Sequence, residues 1–167
     1  MEKGNFRHHP LMRLTLSFTL IFLLGFWLTN FGMYFSKMDL SSQSVVDYYR
    51  GSEINFLPPR SFEGLVETSH FHLPMMALIV LVLTHLTIFV PIPERAKLSI
   101  IILSFVSAAG QEAASWLVRY AHPIFAYLKI ASFLILQTLI LLMLLALAGY
   151  LWRWNKKSEH SKTHKKH

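Results

Sequence analysis

Residues 68–93 read TSHFHLPMMALIVLVLTHLTIFVPIP and contain no Asp, Glu, Lys or Arg. A helix needs about 20 apolar residues to cross a hydrocarbon core of about 30 Å, so this stretch is long enough to span a bilayer. Working outward, residues 14–36 and 130–152 are free of the same four residue types, and residues 98–118 are interrupted by Glu112 alone. The expectation is an all-α integral membrane four-helix bundle with spans at about 11–34, 68–91, 97–118 and 123–152. The chain has 167 residues, 53% hydrophobic and 15% charged, so four spans leave one outer loop and two tails, too little for a separate soluble domain.

Charge placement gives an orientation. Residues 1–13, the 94–97 turn and the 153–167 tail are net positive, while the 36–67 loop is net negative. Lys and Arg are retained on the cytoplasmic side, which predicts both termini inside and the 36–67 loop and 119–122 turn outside. The basic tail, 156–167 with Lys156, Lys157, Lys162, Lys165 and Lys166, reads as a topology signal that touches anionic headgroups. Its residues His160, His164 and His167 belong to the same solvated segment. No aromatic or helical recognition pattern accompanies the tail, so no nucleic-acid partner is expected. The first span lacks a small-x-small cleavage site around Thr29-Asn30-Phe31-Gly32 and reads as an uncleaved anchor. Cysteine is absent, which excludes disulfides, thiolate metal sites, iron–sulfur ligation and covalent haem attachment through this chain.

Local signals fill in the rest. Ser41 to Gly51 carries a helix start and stop, which predicts a short helix along the outer surface. Ser61, after Pro58-Pro59, is placed to cap a long second helix reaching about Phe89. Ser104, Ser107, Ala108, Gly110, Ala113 and Ala114 in the third span form the small-residue stripe that lets membrane helices approach closely. Pro123 suits the first position of the fourth. Trp27, Tyr34, Trp116 and Tyr120, near span ends, read as interfacial anchors, with a pocket lining as the alternative.

The ionisable residues of the spans ask for a reason, since each costs roughly 2.5–3.5 kcal/mol on insertion scales. On a continuous second helix Glu63, Glu67, His70 and His85 share one face, which is expected to point inward, and His72 points away from it. Pro74 is expected to bend that helix. Glu112, Arg119, His122 and Lys129 gather at the same outer end. Neutral imidazole is a good iron ligand, so His70 and His122 are the expected axial pair of a haem b, with Arg60, Arg119 and Lys129 set against its propionates. An inner site at His85 would draw on His9, Met12, Met143 or a second copy, or His85 serves hydrogen bonding or proton movement.

The His70/His85 spacing, the short spans and the lack of Cys make the chain similar to membrane b-type cytochromes, which stack haems between histidines spaced in this way. It differs in lacking a second helix with a matching pair. The stretches Tyr48-Tyr49-Arg50-Gly51-Ser52-Glu53, Pro59-Arg60-Ser61-Phe62-Glu63-Gly64-Leu65 and His70-Phe71-His72-Leu73 also resemble a family of uncharacterised four-span bacterial membrane proteins. That resemblance implies a bacterial inner-membrane home and no particular activity.

Three readings follow. The first is a b-type haem electron-transfer protein exchanging electrons with quinol and with a redox partner at the outer face. Glu67, Glu112 or His72 would be the proton acceptor near a lipid-accessible cleft. The second is a non-haem metal site built from Glu67, His70 and His72 with Glu112 and His122. The third is a structural or assembly subunit, alone or as a homo-oligomer, tied together by ion pairs Glu67–Arg119 and Glu112–Lys129.

Overall fold

The computed structural model describes residues 10–163, and side chains from 10 to 151. It contains five α-helices: α1 (Pro10–Phe35), α2 (Ser42–Arg50), α3 (Phe62–Thr87), α4 (Glu94–Trp116) and α5 (Phe125–Thr163), with a π-helical segment, Leu117–Ala121, continuing α4. Four of them, α1, α3, α4 with its π segment, and α5, have spans long and apolar enough to cross a membrane. The chain is an integral membrane four-helix bundle. The helix of α3 begins at Phe62, six residues before the predicted span, and ends at Thr87. Lys156, Lys157, Lys162, Lys165, Lys166 and the tail histidines lie outside the residues whose side chains are described, as does His9.

The local signals act as their chemistry requires. The Ser41 hydroxyl accepts the Ser44 N–H at 3.2 Å to cap α2, and Ser61 accepts that of Gly64 at 3.1 Å to cap α3. Gly51 ends α2 at φ 86°; an added Cβ there would lie 2.8 Å from the Leu57 carbonyl oxygen and 2.9 Å from Pro59 N. Only glycine fits that combination of dihedral and space. Beyond it the chain makes a tight turn closed by the Ser52–Leu57 bridge. α3 is continuous through Pro74, which leaves the His70 carbonyl without its usual helical donor.

Two apolar clusters hold the bundle, and α5 belongs to both. At the α2 end, Tyr34, Val45, Tyr49, Leu65, Val118 and Phe133 pack together, with the Tyr34 and Phe133 rings stacked at 4.0 Å. Toward the other end, Ile79, Val80, Leu83, Leu136, Ile140 and Met143 form the second cluster. α4 meets α5 through small side chains: Ser104, Ser107, Ala114 and Ser115 are buried, and a Cβ on Gly110 would come within 2.9 Å of Ser132 Oγ. Ser104, Ser107, Gly110 and Ala114 of the small-residue stripe therefore form a packing seam, where little side chain lets two backbones close, while Ala113 is exposed and Ala108 faces a cleft instead. α1 buries only Tyr34; its exposed Leu and Phe side chains suit a lipid-facing surface.

The face of α3 is the opposite of the expected one. Leu65, Ile79, Val80, Leu83, Thr84 and Thr87 are buried, while Glu63, Glu67, His70 and His85 are exposed. Packing decides this orientation: branched apolar groups fill the interior. Thr84 and Thr87 can join them because their hydroxyls bond the carbonyls of Val80 and Leu83, at 2.6 and 2.7 Å.

Candidate functional site

One set of polar groups inside the bundle comes from α3 and α4. Ser69, in the third turn of α3, donates to Glu112 Oε1 and accepts from the Trp116 indole N–H at 2.9 Å. One turn along α3, His72 Nδ1 lies 3.7 Å from Glu112 Oε2, the imidazole half exposed and the carboxylate 13% exposed. Glu112 is thus held at both oxygens, by a hydroxyl on one side and by an imidazole that can carry a proton on the other.

This pair opens onto a cleft of about 180 Å³ between α1, α3 and α4. Phe26, Met76, Phe105 and Ala108 give it an apolar wall, and the polar groups reaching it are Asn30, His72, Gln111 and Glu112. An apolar cleft with a few converging polar groups is the usual form of a small-molecule site. Both Asn30 Nδ2 and Gln111 Oε1 are buried without a hydrogen-bond partner.

Behind α4, Lys129 is 4% exposed. Its ammonium donates to the Gln111 carbonyl at 2.9 Å and to Ser115 Oγ at 2.8 Å, and sits 5.8 Å from the Tyr49 ring centroid. Ser115 Oγ also shares a hydrogen bond with the Tyr49 hydroxyl at 3.0 Å. Burial on the packed side of α2 pushes the Tyr49 phenol above its ordinary value, more than the Ser115 bond lowers it. Nearby, Arg119 Nε donates to the Arg60 carbonyl at 2.8 Å, and the Arg60 guanidinium lies 5.3 Å from the centre of the Tyr48 ring.

Residues 39–160 match a family model, Aq_1264_TM, described as a transmembrane helical domain. The chain belongs to this family. No curated protein and no solved structure matches it. The Aq_1264_TM match takes in His72, Gln111, Glu112, Lys129 and Tyr49; Phe26 and Asn30, on α1, precede it.

Several expected neighbours are not together. Among the described residues no ion pair joins Glu67 to Arg119 or Glu112 to Lys129: Glu67 is exposed on the outer face of α3, Arg119 is engaged by Arg60 and Lys129 by Gln111 and Ser115. No group of three or more His, Asp or Glu side chains is gathered for a metal among those residues, which removes the cluster expected of Glu67, His70, His72, Glu112 and His122. His70 is exposed, its ring against Phe71. His122 closes the π segment by donating its N–H to Leu117 O, at 3.0 Å, and its Nδ1 accepts the Ile124 N–H at 3.1 Å, the ring exposed. His85 lines a separate cleft of about 160 Å³ at the far end, with Met12, Leu16, Leu20 and Tyr150; Met143 is buried in the core instead.

Sequence reasoning weighed ionisable side chains and passed over the neutral polar ones. Ser69, Gln111, Ser115 and Asn30 were missed, although a terminal amide in a membrane span is itself a signal for a partner. Three supposed interfacial anchors also turn inward. Trp116 bonds Ser69, Tyr34 stacks on Phe133, and Trp27 donates to the Gln137 carbonyl at 2.9 Å; Tyr120 is exposed.

Proposed function

We propose that the chain is a quinol-site subunit of a bacterial inner-membrane redox assembly, with the α2 end facing outward as the charge distribution indicates. The observation that carries this reading is the Glu112–His72 pair at the wall of a largely apolar cleft between three membrane-spanning helices. A quinol arrives from the hydrocarbon, and its oxidation releases hydroxyl protons with an equal number of electrons. Glu112 accepts a proton and His72, half exposed and 3.7 Å away, hands it on once a small side-chain movement closes that gap to hydrogen-bond reach. The electrons pass to a one-electron acceptor in a partner protein. Glu63, Glu67 and His70, exposed together on the outward face of α3, are the groups offered to that partner, since ionisable side chains at a membrane surface seek one.

The test is equilibrium binding of a short-tailed benzoquinol to the protein in nanodiscs between about pH 5 and pH 9. Binding depends on pH in the wild type, and Glu112→Gln and His72→Ala each flatten that dependence. Failure of the wild type to bind the quinol, or an unchanged pH profile in both variants, overturns the reading.

A haem b site is the second reading, favoured by one observation: His85 and Met12 line the same cleft. Those side chains would be its axial ligands. At about 160 Å³ this cleft, like the α1–α3–α4 cleft at about 180 Å³, lies below the usual range for enclosed small-molecule sites, about 300–1,000 Å³; a single quinol ring with its tail in lipid needs little enclosed space, whereas α1 would have to move outward to admit a porphyrin. The outer pair fits less well, because His70 and His122 line neither cleft, and Lys129 is enclosed rather than presented to a propionate. A Soret band that His85→Ala removes is the expected result; a colourless purified protein after growth with haem supplied ends this reading.

A further inference from the structure

Asn30, from α1, and Gln111, from α4, both line the α1–α3–α4 cleft. One amide atom of each, Asn30 Nδ2 and Gln111 Oε1, is buried with no hydrogen-bond partner. An unpaired buried amide atom is destabilising, and hydrocarbon supplies no water to relieve it. Two such side chains on one small cleft, beside the Glu112–His72 pair, carry hydrogen-bonding capacity that a turn of either amide can direct to a ligand.

We infer that Asn30 and Gln111 recognise the ring oxygens of the ligand and that these amides let one site hold it in both redox forms. The inference rests on the quinol reading of the cleft. A quinone presents carbonyl oxygens, which only accept; a quinol presents hydroxyls, which also donate. A terminal amide carries an N–H₂ donor and a C=O acceptor, and half a turn about its last bond exchanges them. An ionised carboxylate can only accept and so meets the quinol alone, and a lysine can only donate and so leaves the quinol's hydroxyl protons without an acceptor. Glu112 serves proton exchange, and the amides hold the ring through it. α1 thereby becomes part of the site.

The experiment compares Asn30→Leu and Gln111→Leu with the wild type in nanodiscs, measuring affinity for a short-tailed benzoquinone, affinity for its quinol, and thermal stability. Loss of one ligand hydrogen bond weakens each form about tenfold. Stability is unchanged or higher, because the substitution removes an unpaired polar group from the interior. A structural role moves the readings the other way, lowering stability and leaving affinity alone. Variants that bind both forms as the wild type does, or that lose stability in step with affinity, overturn the assignment of these two residues. A wild type that takes up neither form overturns the quinol reading itself. If a leucine variant does not fold, Asn30→Ala and Gln111→Met provide the same comparison.

Discussion

Ser69 on α3 and Trp116 at the end of α4 are joined by a hydrogen bond of 2.9 Å from the indole N–H to the hydroxyl oxygen, and the same hydroxyl donates to Glu112. One small side chain therefore fixes an aromatic ring and a carboxylate at once. Ser69→Ala leaves a donor and an acceptor unpaired, for a loss of about 1–3 kcal/mol. Thermal denaturation in detergent measures it, together with a shift of the tryptophan emission maximum. Ser69→Thr, which keeps the hydroxyl, restores most of both; an alanine variant as stable as the wild type would show that the hydroxyl contributes nothing.

Lys129 satisfies a backbone carbonyl and a hydroxyl from within the protein. Truncation by Lys129→Ala removes both bonds and leaves a hole between α4 and α5, so a destabilisation of about 2 kcal/mol or more is expected. Ser115→Ala, which leaves the Gln111 carbonyl contact in place, costs less. Melting temperatures that rank these two variants in the reverse order would contradict the described bonding.

Tyr49 connects stability to alkaline pH. Burial raises its phenol pKa in the folded protein above the ordinary phenol value of 10.0. The neutral form is the one the fold accommodates, so the associated stability is fully present below that ordinary value. It is lost as pH rises through the higher folded value. Tyr49→Phe removes this contribution: its melting temperature declines less steeply than that of the wild type above about pH 10. Parallel declines in the two proteins would assign the alkaline loss to other groups.

Gly110 faces Ser132 so closely that a methyl group there would sit 2.9 Å from Ser132 Oγ. Gly110→Ala is expected to destabilise the α4–α5 seam by about 1–3 kcal/mol, the usual range for overpacking. Adding Ser132→Gly recovers part of the loss, and the double-mutant cycle gives the coupling. Additive effects would place the conflict elsewhere.

Much of the fold was legible because it follows from rules with one outcome. Uninterrupted apolar runs become spans, Ser41 and Ser61 cap helices, and Gly51 ends one. The rotation of α3 was not legible. A wheel that weights charge points Glu63, Glu67, His70 and His85 inward, whereas interior volume is filled by Leu65, Ile79, Val80 and Leu83, and that competition depends on neighbouring helices absent from the sequence of α3. For the same reason His72, taken to point the other way, is the histidine that meets Glu112. The pairing of distant groups was equally hidden: Glu112 and Lys129 lie on facing helices, yet Lys129 bonds the Gln111 carbonyl, an atom every residue has.

The position of α5 in both apolar clusters bears on how the protein is made. Synthesis proceeds from the N-terminal end, so the first three spans enter the bilayer before Phe133, Leu136 and Ile140 exist to bind them. Until the last span arrives, α3 and α4 can meet through Ser69, Glu112 and Trp116, but both apolar clusters lack the helix they share. Assembly of the whole bundle waits on α5, and truncation within it leaves inserted helices with neither cluster filled, targets for membrane quality control.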